Sequence, residues 1–220
     1  MANAVEKVNT IAIADIEAIN TITDANLQAL NTLEFTGVAP DAHTLISTHT
    51  ASASASLDIT SGIDSTYDVY EFVFTNMHPA TDEGDFTFQV NASGGSGFNE
   101  TITSTFFVAY HQEDDGGTGF GYDGRWDQGQ GTAYQPLSYA TGNANDAACS
   151  GTLTLYAPSS TTFVKHFIAR TNDYLAGLYS ADDYAAGYIN TTSAIDEISF
   201  KFDNGNIDAG VIKMYGLAKS

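Results

Sequence analysis

Apolar positions recur every eleven residues over the first 34 residues of the chain and every two residues from Leu57 onward. In the first stretch Val8-Asn9-Thr10-Ile11 returns as Ile19-Asn20-Thr21-Ile22 and again as Leu30-Asn31-Thr32-Leu33. An eleven-residue period is roughly 3.67 residues per turn, close to the pitch of an α-helix. Val8, Ile11, Ile16, Ile19, Ile22, Leu27, Leu30 and Leu33 would then share one apolar stripe, which must bury against copies of itself or a groove in a partner. Thr23 and Asp24 are candidate N-caps for a second helical piece, and Gly37 and Pro40 stop the pattern. Many positions here are Ile, Thr, Asn or Val, mediocre helix formers, so the order of this segment is expected to come from assembly.

The period-two region predicts about nine strands. They are Leu57–Thr60, Tyr67–Phe74, Asp85–Val90, Thr101–Tyr110, Gly151–Tyr156, Thr162–Ile168, Tyr184–Ile189, Ile195–Phe202 and Gly210–Tyr215. Asn204-Gly205 between the last two is a strong hairpin signal. The pattern predicts an all-β fold: an antiparallel two-sheet β-sandwich of jelly-roll type, preceded by a short N-terminal α-helical attachment segment. Residues 1–35 form the docking or oligomerisation segment, 36–56 a connector whose Ala/Ser-rich end could be an edge strand, and 57–220 the sandwich head.

The head is interrupted by a long loop, residues 112–149. It holds eight glycines, the single tryptophan and several carboxylates. Loops of this length in a compact domain are usually functional or disordered, and the aromatics argue against simple disorder. Tyr122, Trp126 and Tyr134 are candidate glycan contacts, since aromatic rings stack on sugar faces while Asp, Asn and Gln take hydroxyls. Large aromatics more often bury area, so the same rings could cap the sandwich or fill a subunit interface. Asp114, Asp115, Asp123 and Asp127 are weak candidates for a hard cation, without EF-hand spacing. His111 and His166 are expected to be partly buried in strands, and the five histidines show no metal-ligand spacing.

Hydrophobic residues at 43% allow a proper core. With 27 acidic against 7 basic residues the net charge is −20. That excludes nucleic acid as an expected partner and disfavours anionic membranes. A saline environment or divalent cations would each accommodate it. Cys149 is alone, so no intramolecular disulfide forms. No basic start and apolar run marks a signal peptide, and no stretch approaches the roughly 18 apolar residues of a membrane span, so synthesis in a cytoplasm is expected. No nucleophile elbow or placed acid pair suggests catalysis: no catalytic residue, cofactor or enzyme activity is expected.

Three runs, Ser61–Tyr67, Asn76–Asp82 and Gly187–Ile195, with the ending Gly205–Gly216, resemble virion structural proteins of marine tailed bacteriophages, of the tail-fibre or head-decoration type. The resemblance covers roughly residues 57–217 and carries no catalytic residues. It implies a non-enzymatic structural protein in the virion. Its implied partners are its own copies as a homotrimer and other virion proteins of capsid, portal, tail or baseplate. A host surface glycan met by loop 112–149 is the alternative role.

Overall fold

The computed structural model describes residues 43–217. The apolar stripe from Val8 to Leu33 lies outside these residues. The chain divides into two units, Met1–Asp41 and Ala42–Ser220.

All regular structure among the described residues is strand. The strands are β1 (His43–Ser54), β2 (Leu57–Ile59), β3 (Val69–Pro79), β4 (Phe86–Ala92), β5 (Ile102–Gln112), β6 (Thr118–Tyr122), β7 (Gly129–Gly131), β8 (Gln135–Pro136), β9 (Cys149–Tyr156), β10 (Lys165–Leu175), β11 (Tyr179–Ile189), β12 (Ile195–Phe202) and β13 (Ile207–Leu217). They form two antiparallel sheets. The larger runs β1-β13-β3-β9-β10-β11-β5-β6, with β7 also on β5, and the smaller runs β2-β12-β4-β8.

The two sheets pack face to face through an aromatic layer. Phe72 of β3 meets Phe200 of β12 at 5.6 Å between ring centroids, Phe74 meets Phe86 of β4 at 5.2 Å, and Phe88 meets Phe167 of β10 at 5.0 Å. Each fully buried Phe contributes about 1.5–3 kcal/mol. With the only described cysteine free and buried, this layer has no covalent support. Alternation decides which side chains enter it. Along β10, Lys165, Phe167, Ala169, Thr171, Asp173 and Leu175 are buried, whereas His166, Ile168, Arg170 and Asn172 are exposed. Strand β4 departs from alternation, all seven residues being buried. Phe86, Phe88 and Val90 face the core, and the far side is covered by the segment leading into β8.

The nine predicted strands correspond to β2–β5 and β9–β13. Residues given to a connector form β1, which pairs with β13 from His43↔Leu217 to Ser54↔Ile207. Its small Ala/Ser alternation suits an edge strand with little to bury. The loop 112–149 carries β6 and β7 on β5 and β8 on β4. Asn204-Gly205 does not close a hairpin. β12 pairs with β2 and β4 in the small sheet, β13 with β1 and β3 in the large one, so this turn carries the chain between sheets. Gly205 takes φ +78° there, with the Thr81 side chain against it, the left-handed conformation that glycine adopts without strain. His111 and His166 are exposed, because their positions alternate onto the outward face of the large sheet.

Candidate ligand-binding cleft

The outward face of the small sheet is roofed by residues 126–136, and one amide holds the roof in place. Gln89 Nε2 donates to the carbonyls of Glu100, Thr132 and Ala133 at 3.0, 3.2 and 2.9 Å. The Tyr134 hydroxyl donates to Ser199 Oγ at 3.1 Å, and Ser199 in turn donates to Asp58 Oδ1 at 2.6 Å. Gln135 Nε2 holds the Trp126 carbonyl at 2.9 Å. Four of these bonds engage residues 126–136, three of them from the buried Gln89 and Gln135 side chains, which fixes the segment more firmly than its irregular backbone suggests.

Trp126 sits where the roof meets the sandwich. Its ring lies 4.5 Å from Tyr139 and 5.8 Å from Phe106, and its Nε1 donates to Asp85 Oδ2 at 2.7 Å. The other Asp85 oxygen accepts from the Ala140 amide at 2.8 Å. Burial nevertheless pushes the Asp85 carboxyl above its ordinary range, with Asp203 adding to the effect.

Asp85, Arg125, Trp126, Tyr134, Lys201 and Asp203 line an open cleft of about 440 Å³. Both of its cations lie on aromatic rings, the Arg125 guanidinium 4.1 Å from the Trp126 centroid and the Lys201 ammonium 4.3 Å from that of Tyr134. Arg125 also grips Asp123 through Nε at 2.9 Å and Nη2 at 2.7 Å, which holds the Asp123 carboxyl below its usual range. Lys201 makes none of the ion pairs formed among the described residues. Of the seven lysines and arginines, Lys7 and Lys219 lie outside the described residues. Two of the remaining five therefore meet in this one cleft. The ring faces are covered by cations, so a ligand would be met by charge and hydrogen bonds before ring stacking.

The structure brings Trp126 and Tyr134 together and leaves Tyr122 apart. Tyr122 is 61% exposed on β6, its hydroxyl bonded to Asp127. The four candidate cation ligands are also dispersed. Asp123 is held by Arg125, Asp115 faces His111 Nε2 at 3.1 Å, Asp127 takes Tyr122, and Asp114 caps the Gly116 amide at 2.8 Å. No group of three or more His, Cys, Asp or Glu side chains among the described residues is placed to hold a metal ion.

Sequence reading missed Asp85 and Lys201. Lys201 lies in Phe200-Lys201-Phe202, whose alternation places the lysine on the face opposite the aromatic core. Its scarcity in an acidic chain was the available signal. Asp85 had none, because its role depends on Trp126, 41 positions away.

Comparisons with known proteins give no relative: no family model, no curated protein and no solved structure matches this chain.

Proposed function

We propose that residues 43–217 form a non-enzymatic recognition head whose cleft binds an acidic saccharide, a sugar unit carrying a carboxylate or sulfate. The carrying observation is the meeting of Arg125 and Lys201 over Trp126 and Tyr134 in one open cleft. An ammonium without an ion pair offers a charge-assisted hydrogen bond to an anionic substituent. Asp203 and Asp85 accept from sugar hydroxyls with the lone pairs that their present donors leave free. In this reading the protein is a virion component and the ligand belongs to a host surface. The eleven-residue repeat docks the head onto other virion proteins, and the two-sheet fold is of jelly-roll type. What supports the virion setting is the motif resemblance and the repeat. What supports the jelly roll is that strands distant in sequence lie side by side, as β1 does beside β13. A glycan array comparing uronate- or sulfate-bearing with neutral oligosaccharides tests the ligand class. Signal confined to the acidic sugars supports it, and signal on neutral sugars alone overturns it. Deleting residues 1–35 should leave a folded head that no longer joins particles.

A second reading, packing against copies of itself as a homotrimer, is favoured by one surface feature. Phe120 and Tyr122 of the edge strand β6 are 75% and 61% exposed. Beside them the Phe107 and Tyr184 rings stack at 4.6 Å. Such an edge invites strand pairing unless it is covered. Sedimentation equilibrium of the wild-type protein and a Phe120→Lys variant distinguishes a trimer held by this edge from a monomer.

A further inference from the structure

Behind the cleft, on the inward face of β10 and β11, four oxygen atoms make no well-formed hydrogen bond to another described residue, although the Tyr139 amide approaches Asp183. They are Oδ1 and Oδ2 of Asp183, Oδ1 of Asp173 and Oγ1 of Thr171. Asp173 is 1% exposed and the other two residues 0%. Thr171 and Asp183 are direct cross-strand partners, and Asp173 stands opposite Ala181, one same-face position along. Direct partners on one face have Cβ atoms roughly 5 Å apart and diagonal neighbours roughly 7 Å, so the two carboxyls and the hydroxyl share one small region. The remaining Asp173 oxygen accepts from Thr141 Oγ1 at 3.0 Å, which Ser138 Oγ meets at 3.0 Å. No ion pair among the described residues involves either carboxylate.

Native folds leave very few buried polar atoms without a partner, and an unpaired buried carboxylate is far costlier than an unpaired hydroxyl. Here the unpaired Asp183 and the half-paired Asp173 lie together, with Asp85 as a third negative neighbour acting on both. Two occupants could relieve them, protons or a cation. The orphaned Thr171 hydroxyl discriminates between these. A proton shared between the carboxyls relieves both of them and leaves the Thr171 hydroxyl as it was, whereas an oxygen-only set of two carboxylates and a hydroxyl matches the ligand chemistry of a hard divalent ion. Cys149 stands opposite Asp173 on β9, yet every orphaned atom of the group is oxygen, which favours a hard ion over zinc or copper.

We propose that Asp173, Asp183 and Thr171 form a buried binding site for a hard divalent cation of the calcium type, with water completing its coordination. The charge of the ion balances the two carboxylates, and it ties β10 to β11 from the inside. None of its three residues lines the saccharide cleft.

Because the ligands are brought together only by folding, occupancy is read as stability. The full-length protein is stripped with EDTA and unfolded thermally at about pH 8, where both carboxylates of the unfolded chain are ionised. Calcium chloride should raise the melting temperature by several degrees beyond sodium chloride of equal ionic strength, the control for screening a chain of charge −20. The shift should vanish in Asp183→Asn and persist in Asp114→Asn, a surface acid. Equal melting temperatures in calcium and sodium overturn the proposal, as does an undiminished calcium shift in Asp183→Asn. Should Asp183→Asn not fold, equilibrium dialysis of the wild type decides. One calcium per chain retained at about 150 mM sodium chloride supports the site, and none retained rejects it.

Discussion

The indole N–H of Trp126 donates to Asp85 Oδ2 at 2.7 Å, and this bond joins the outer cleft to the carboxylates behind it. Trp126 carries Arg125 on its ring. Asp85 acts on Asp173 and Asp183 as a like charge and raises the proton affinity of both. A ring that lines the cleft and a carboxylate that acts on the buried charges are therefore one hydrogen bond apart.

Trp126→Phe keeps most of the packing against Tyr139 and Phe106 and removes that donor. It should destabilise the head by about 1–3 kcal/mol, the cost of leaving a buried acceptor unpaired. Urea unfolding of the two proteins measures it. A loss below a few tenths would mean that water replaces the indole without penalty.

Asp183 gives the fold a pH dependence of definite sign. Burial first, then Asp173, Asp182 and Asp85, push its carboxyl from 3.8 up to about 9. A folded value above the unfolded one means that the folded state holds the proton more tightly. The associated stability is complete below about pH 4 and is lost as pH rises toward about 9. In EDTA, wild-type stability should fall across that window, while Asp183→Asn stays flatter and overtakes the wild type at its alkaline end. Unfolding free energies at several pH values check it. A wild type whose stability rises from pH 5 to 8 contradicts the assignment.

Two glycines mark where strands leave no room. A Cβ at Gly151 of β9 would strike the Arg170 carbonyl, and one at Gly187 of β11 would strike the Thr103 carbonyl. Backbone cannot yield as a side-chain tip can. Gly151→Ala and Gly187→Ala should each cost about 1–3 kcal/mol or more. Gly121→Ala on β6, with nothing within 4 Å of the added carbon, should leave the melting temperature unchanged.

The strands that were legible in the sequence are those whose alternate residues are buried, such as Tyr70-Glu71-Phe72-Val73-Phe74. Period two reports such strands directly. Strand β1 was legible only at its Ala/Ser-rich end, as a candidate edge strand, because Ala51-Ser52-Ala53-Ser54 has almost nothing apolar to alternate. Strands β6 and β7 were hidden by their glycines, and among the described residues each pairs with β5. Asn204-Gly205 misled for a physical reason: the dipeptide sets a tight turn but cannot say whether the strands it joins stay in one sheet. Trp126 and Tyr134 were visible as aromatics in a loop, and their meeting with Lys201 was not, since it depends on Gln89 fixing Thr132 and Ala133. The buried carboxylates were visible only as Asp182-Asp183, a pair that β11 splits between opposite faces. Asp182 goes outward to Arg170 at 2.7 Å, and Asp183 goes inward.

The proposed saccharide recognition by the cleft rests on Lys201, whose ammonium lies over Tyr134 and makes no ion pair with another described residue. Lys201→Met keeps the stem that covers the sheet and removes the charge. Isothermal titration of wild type and Lys201→Met with an acidic oligosaccharide, and with its neutral counterpart, tests this most directly. The account predicts binding of the acidic sugar by the wild type, roughly tenfold or more weaker binding by the variant, and equal melting temperatures for both proteins. Equal affinity of the two proteins for the acidic sugar, or wild-type preference for the neutral one, would contradict it.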